Sequence, residues 1–489
     1  MTAVESLERA PARSSLEAPL CVDLDGALLA SDLLWESLAV MVRKRPASIG
    51  RMPMWLLRGK AYFKSRVAEH ALPDVTLLPY REDVLAYLKR ELGEGRRIVL
   101  TTGADRRGAE KIAEHLQLFS SIIASDGQSN VTGSRKVAAI RRHTEGGEFD
   151  YIGDSRVDRP VWRAARRAML VEPSRRLLRK AEREASVEHV FPKRHGTLKS
   201  ALSALRVHQW VKNVLLFVPL VLAHRIGDLD LLVRVGWAFV AFSLCASAVY
   251  VANDFLDLEH DRRHPVKRHR PFAAGKLPIA SAAVLAPALL LVGVALASLT
   301  QPALFVALLA LYVVVSNGYS LFLKRIVIVD VMILAGLYTL RVISGGASAG
   351  VTLSPWLLAF SLFLFFSLAF AKRYSELELG QGGGEKTPGG RGYRADDLPI
   401  IRAIGPASGV TSVLILALYI NGEAVATLYR NPAALWPAAP LALFWITRIW
   451  FLAHRGVLTD DPIVFTLKDP VSYIVGGAIG LLLVVGTVW

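Results

Sequence analysis

From about Leu202 onward the chain is a succession of long apolar stretches broken by short polar ones, whereas up to about Lys199 polar and apolar positions are mixed. A helix needs about 20 apolar residues to cross the ~30 Å hydrocarbon core of a bilayer. Nine stretches qualify, near 204–224, 229–252, 279–299, 302–322, 326–347, 355–373, 401–420, 433–453 and 470–488. Residues 201–489 are therefore expected to form an all-α polytopic membrane domain. In the first half, short apolar runs alternate with helical stretches such as 106–118, which predicts an α/β domain with a parallel sheet over 1–172. Between the two, 173–200 reads as a basic, partly helical linker resting on anionic headgroups.

The 489 residues carry a formal net charge of +16 and are 53% hydrophobic. No arginine-rich face interleaved with aromatics accompanies that charge, which excludes nucleic acid as a partner. The bases gather in one set of loops: Arg262, Arg263, Lys267, Arg268, Arg270 and Lys276, then Lys324 and Arg325, then Lys372, Arg373, Lys386, Arg391 and Arg394, then Arg455. The opposite loops hold little beyond Arg225 and Arg430. The positive-inside rule then places the soluble domain and the basic loops at the cytoplasmic face. The N-terminus has no apolar signal core, so no cleaved signal peptide is expected. Cys21 and Cys245 offer neither a disulfide framework nor a zinc spacing. The loop GQGGGEKTPGGRGY at 380–393 is flexible by composition.

The apolar run VGWAFVAFSLCASAVYVA leads directly into NDFLDLEHDRRHP, Asn253–Pro265. In a continuous helix Asp254, Asp257 and Asp261 stand at i, i+3 and i+7, within about 60° of one another. Such a face repels itself unless a cation such as Mg2+ sits on it, and the following RRHPVKRHRP supplies charge for a phosphate ligand. The alternative is a solvated loop whose aspartates and arginines pair with each other. Asp330 and Arg341, about three helical turns apart, share a face of an apolar span, where ionisable groups default to function; a structural ion pair is the alternative. Lys212, in QWVKN, is either a phosphate contact or a snorkelling lysine. In the soluble half APLCVDLDGALLASD ends a strand at Asp23 and Asp25, and RRIVLTTGADRR ends one at Thr102. SRKVAAI offers Lys136, and FDYIGDSRVDRPVWRAA ends a strand at Asp154 with Asp158 following. Ligands gather at the carboxyl ends of such strands.

The nine spans, LRVHQWVKNVLLFVPL at 205–220, NDFLDLEHDRRHPVKRHRPFAAGKL at 253–277, YSLFLKR at 319–325 and LRVISGG at 340–346 together resemble the UbiA superfamily of intramembrane prenyltransferases. Within it they are most similar to the branch that uses phosphoribosyl pyrophosphate and a decaprenyl-type polyprenyl phosphate. Many members have a second paired-aspartate motif; here Asp330 is followed four residues later by Leu334, which favours that branch. The resemblance implies Mg2+ on Asp254, Asp257 and Asp261, aided by Asn253, holding the leaving pyrophosphate. Arg262, Lys267, Arg268 and Arg270 would neutralise it. Lys212, Tyr319, Lys324, Asp330 and Arg341 become candidates for the remaining phosphates.

The four soluble motifs resemble the haloacid dehalogenase phosphatase superfamily, a Rossmannoid α/β fold, with 30–90 as a helical cap. That resemblance implies Asp23 as nucleophile, Asp25 as acid/base, Thr102 and Lys136 on the phosphoryl oxygens, and a second Mg2+ held by Asp23, Asp154 and Asp158. Ala27 stands where threonine is frequent. The pairing of domains implies transfer of phosphoribose followed by removal of its 5-phosphate, at the cytoplasmic face of a bacterial inner membrane, for cell-envelope polysaccharide of the arabinogalactan kind. The rivals are a prenyltransferase using a prenyl diphosphate and an aromatic acceptor, with a separate or regulatory soluble domain, and a transporter or lipid-binding scaffold. A homo-oligomer is compatible with each.

Overall fold

The computed structural model describes residues 18–193, 197–381, 392–458 and 461–488. The expectations for residues 1–17, for Lys386 and Arg391, and for most of the glycine-rich loop lie outside the described residues. The chain divides into two compact units, Met1–Ala204 with Asp254–Val284, and Leu205–Asn253 with Leu285–Trp489.

The first unit is built on six parallel strands: β1 (Leu20–Val22), β2 (Ile98–Asp105), β3 (Ser121–Ser125), β4 (Asp150–Gly153), β5 (Arg167–Val171) and β6 (Val187–Phe191), in the order β3-β2-β1-β4-β5-β6. A parallel sheet covered on both faces demands apolar residues at every position of its central strands. Leu20, Val22, Leu100 and Ile152 accordingly pack on one face with Leu88 and Ile112, while Cys21, Val99 and Tyr151 pack on the other with Ile140 and Trp162. The strand order reverses at β1 and β4, and the crevice outside the carboxyl ends at such a reversal is where ligands bind. Asp23 follows β1 and Asp154 follows β4.

The segment expected to be a linker, 173–200, supplies the helix Arg175–Glu184 and β6, which pairs with β5. The sheet therefore runs past residue 172. Three helices between β1 and β2, Leu33–Lys44, Met52–Leu57 and Lys60–His70, share a core of Leu38, Met41, Trp55, Phe63 and Val67. They fall where the helical cap was expected. The helix Glu82–Gly93 belongs instead to the sheet, into whose core it sends Val84 and Leu88, so the cap ends before 90.

Eight described segments are long and apolar enough to span a membrane: Leu229–Leu256, Ile279–Thr300, Ala303–Leu321, Val329–Ala349, Pro355–Glu378, Ala395–Ile420, Pro432–His454 and Pro470–Val488. The first expected span, 204–224, is not a plain helix. A 40° bend separates Leu198–Leu205 from Val207–Leu222, at an Arg206 with φ 52. Past the bend, Val207–Phe217 is wound as a tighter 3-10 helix. It lies backbone to backbone against Val329–Ala349, where a Cβ on Gly345 would stand 2.2 Å from the Leu216 carbonyl oxygen. Small residues permit such approaches between apolar helices. Hydrogen bonds add to the packing: Ser367 Oγ donates to the Gly405 carbonyl at 2.7 Å and accepts from Trp450 Nε1 at 3.0 Å.

Candidate functional site

Four of the soluble-domain residues converge at the carboxyl end of the sheet. Lys136 Nζ lies 2.9 Å from Asp23 Oδ2 and 3.4 Å from Asp158 Oδ1, and donates to Tyr151 Oη at 2.8 Å. Tyr151 in turn donates to Asp158 Oδ1 at 2.8 Å, while Asp158 Oδ2 accepts from the Ser155 backbone and hydroxyl. Asp158 is thereby fixed as the orienter of Lys136. Gly26, at φ +79, brings the loop after β1 so close to Asp154 that a Cβ there would sit 2.1 Å from Asp154 Oδ2. Only glycine fits that position. Asp25 Oδ1 accepts from the Leu33 amide at 2.8 Å. Thr102 faces its own strand end, its hydroxyl accepting from the Ala104 amide at 3.0 Å. Sequence reasoning missed Lys64, which reaches from the cap to the Gly103 carbonyl at 2.7 Å.

Asp23, Asp154 and Asp158 offer oxygens within 4.8 Å of one another. Burial pushes Asp23 up to about 7, against the pull of Lys136 and with the help of Asp158. Burial, with the charges of Asp23 and Asp158, pushes Asp154 up to about 8. Hard oxygen donors that resist joint ionisation fit a divalent cation such as Mg2+. A consequence follows for the metal-free protein. A carboxyl whose folded pKa is raised binds more protons folded than unfolded, so stability falls as pH rises from about 4 through about 8. Hydrogen exchange of β1 and β4 in chelator is expected to quicken over that window, and added Mg2+ to restore protection more at pH 8 than at pH 6.

The acidic segment departs from the expected single helix face. The helix ends at Leu256, and Asp257 caps a new one, Leu258–Arg263. Arg270 Nη1 sits 2.6 Å from Asp261 Oδ2 and 3.3 Å from Asp254 Oδ1, and Arg43 Nη1 sits 3.0 Å from Asp257 Oδ1. Arg262, expected on a pyrophosphate, is bonded to Glu36 through both terminal nitrogens and to the Ala273 carbonyl through Nε. Arg268 is exposed. The pairing of aspartates with arginines weighed at the outset is thus present, and these carboxylates hold guanidinium groups in the positions a cation would neutralise.

In the second unit a polar cluster lies inside apolar surroundings. Asp461 Oδ2 is 2.9 Å from Lys212 Nζ and 3.0 Å from Lys372 Nζ, and the carboxylate also accepts from Tyr338 Oη at 3.1 Å. Burial raises the Asp461 carboxyl, but Lys212 and Lys372 outweigh it and hold it well below the usual carboxylate range. Arg341 donates to Asn213 Oδ1 at 2.9 Å and to Tyr312 Oη at 3.1 Å. It does not meet Asp330, although both are on Val329–Ala349. Asp330 pairs with Arg373 and accepts from Tyr319 Oη at 2.7 Å. Lys372 and Arg373, counted as loop charges, belong to the helix Pro355–Gln381. Asp461 was missed altogether; the Asp-Pro at 461–462, a helix-start signal, was its trace. Because Asp330 and Arg373 are both buried, Asp330→Ala is expected to destabilise the chain by about 3 kcal/mol, leaving the guanidinium with only the partly exposed Glu376 and Tyr319. Thermal unfolding in detergent would show it, with Asp330→Ala/Arg373→Leu recovering most of the loss.

The UbiA prenyltransferase family profile matches residues 214–467, and the haloacid dehalogenase-like hydrolase profile matches residues 52–163. The uncharacterized protein y4nM of Sinorhizobium fredii is 38% identical over 466 residues, 94% of this chain and 89% of its own. Nodulation protein NoeC of Azorhizobium caulinodans is 36% identical over 283 residues, 57% of this chain and 91% of its own. A decaprenyl-phosphate phosphoribosyltransferase of Corynebacterium glutamicum is 38% identical over 188 residues, 38% of this chain and 57% of its own. Among solved structures, a UbiA homolog from Archaeoglobus fulgidus bound to DMAPP and Mg2+ is 15% identical, with a TM-score of 0.45 over 58% of this chain and 99% of that one.

Proposed function

The chain belongs to the UbiA prenyltransferase family and carries an N-terminal haloacid dehalogenase-like domain, and from that premise we propose that it makes a lipid-linked pentose in two steps. The first transfers 5-phosphoribose from phosphoribosyl pyrophosphate to a polyprenyl phosphate. The second removes the 5-phosphate. The observation that carries the reading is the pair of lysines on Asp461. A donor with a pyrophosphate at one end and a monophosphate at the other, meeting a monophosphate acceptor, calls for one acidic cation-holding motif and for separate cationic contacts. The acidic segment is the first, and Lys212, Lys372 and Arg341 are the second. The partial relative named decaprenyl-phosphate phosphoribosyltransferase supports the same choice.

In the first step the bond from the anomeric carbon to pyrophosphate breaks as an acceptor phosphate oxygen bonds to that carbon. Asp254, Asp257 and Asp261 would hold Mg2+, which would supply charge to offset the leaving pyrophosphate. Arg270, which rests against two of these carboxylates, would turn to the pyrophosphate oxygens, and Lys212, Lys372 and Arg341 would orient the remaining phosphates. In the second step Asp23 attacks phosphorus, and Lys136 offsets charge on the phosphoryl oxygens. Burial and the charges of Asp32 and Asp23 hold the Asp25 carboxyl well above the usual range, so it keeps the proton that the leaving 5-hydroxyl needs and then takes one from water. Tethering keeps the phosphatase at a high effective concentration for a membrane-held product.

The test is incubation of the purified chain in lipid with Mg2+, decaprenyl-type phosphate and radiolabelled phosphoribosyl pyrophosphate. Labelled lipid lacking the 5-phosphate is the expected product. Folded protein that yields no labelled lipid overturns the reading, and label transfer from a prenyl diphosphate to an aromatic acceptor would replace it with the other UbiA-type chemistry.

A further inference from the structure

One helix of the first unit touches both of its acidic motifs. At the start of Leu33–Lys44 the Leu33 amide donates to Asp25 Oδ1 at 2.8 Å. In its last turn Arg43 lies 3.0 Å from Asp257 Oδ1 and donates to the Leu256 carbonyl at 3.3 Å. Twelve residues of helix separate the two ends by about 18 Å. Around Arg43 the contact is fastened by further pairs: Glu36 with Arg262 at 2.6 and 2.9 Å, Lys44 with Glu259 at 3.4 Å, and Asp74 with Arg263 at 3.0 Å. The side chains of Glu36 and Arg262 are only 1% and 6% exposed. Burying that pair is costly unless its geometry is used. At the other end, Leu33, Leu34 and Ser37 join Lys64 and Val67 in closing over Asp25, leaving a cavity of about 10 Å³. That is room for the centre of about one water, and a phosphate ester is larger. On this side of Asp25, which is half-buried, space for a phosphate ester requires the helix to move.

We propose that the helix Leu33–Lys44 couples the two motifs: engagement of the acidic segment by cation and diphosphate displaces Arg43 from Asp257, frees the helix, and so uncovers Asp25. The proposal rests on the transferase reading for what the acidic segment binds. A guanidinium and a divalent cation compete for one carboxylate, and by linkage whatever weakens cap docking must strengthen ligand binding by the same factor. The arrangement keeps the phosphatase shut towards soluble phosphate esters until the motif is loaded.

Hydrogen exchange of the full chain in lipid, in chelator and then with Mg2+ and inorganic pyrophosphate, tests it. Pyrophosphate is expected to protect 253–264 and to quicken exchange over 33–44 about tenfold, in Asp23→Asn as in wild type. Arg43→Ala is expected to exchange fast over 33–44 from the outset, and Glu36→Arg to do the same. Glu36→Arg combined with Arg262→Glu restores slow exchange and the response, which separates a broken contact from a misfolded domain. Protection of 253–264 with no change over 33–44 overturns the coupling and leaves the transferase reading standing. No protection of 253–264 overturns both. Slow exchange in Glu36→Arg alone also overturns the coupling.

Discussion

Replacing Asp257 with alanine is expected to abolish formation of labelled lipid from phosphoribosyl pyrophosphate, a loss on the order of 10²–10³-fold or more, the scale on which removal of one electrostatic stabiliser acts. Asp257 stands at the break between two helices, Leu229–Leu256 and Leu258–Arg263, and its carboxylate is held by Arg43. The three aspartates are not equivalent. Arg270 pairs with both Asp254 and Asp261, whereas Asp257 pairs with Arg43 from the cap. Asp257→Asn keeps the shape of the turn and is expected to be as inactive as Asp257→Ala. An Asp257→Asn protein with wild-type turnover would remove the acidic segment from the mechanism.

Asp23→Asn is expected to leave transfer intact and to stall the product with its 5-phosphate in place, lowering phosphate release by on the order of 10⁴–10⁶-fold, as the loss of a covalent nucleophile does. The amide keeps an oxygen facing Lys136, whose other contacts, Tyr151 and Asp158, remain. The fold of the sheet is therefore expected to survive. Chromatography of the labelled lipid before and after acid phosphatase separates the two products. Dephosphorylated lipid from Asp23→Asn would assign the soluble domain some other substrate.

The parts of this architecture that depend on one stretch of chain were legible in the sequence. Asp23 and Asp154 each follow a short apolar strand, and the carboxyl ends of such strands in a parallel sheet are where ligands gather. The apolar spans were equally plain, because length alone decides them. What depends on a distant partner was not legible. Asp330 looked matched to Arg341 on its own helix, yet Arg373, 43 positions away in sequence, takes it. Lys372 and Arg373 fitted the ordinary description of a span end and so concealed their roles. VEHVF at 187–191 failed to read as a strand because Glu188 and His189 are exposed at the sheet's edge, and an edge strand keeps only part of the apolar signal. The bend at Arg206 escaped for another reason: hydropathy counts residues and is blind to a left-handed backbone angle.

The first compact unit draws on two separate lengths of chain, up to Ala204 and again from Asp254 to Val284. Two such lengths share one side of a bilayer only if the chain between them crosses an even number of times. Leu229–Leu256 is long and apolar enough for one crossing, and the bent pair Leu198–Leu205 and Val207–Leu222 passes the same test as one span across its 40° break, which would make the number even.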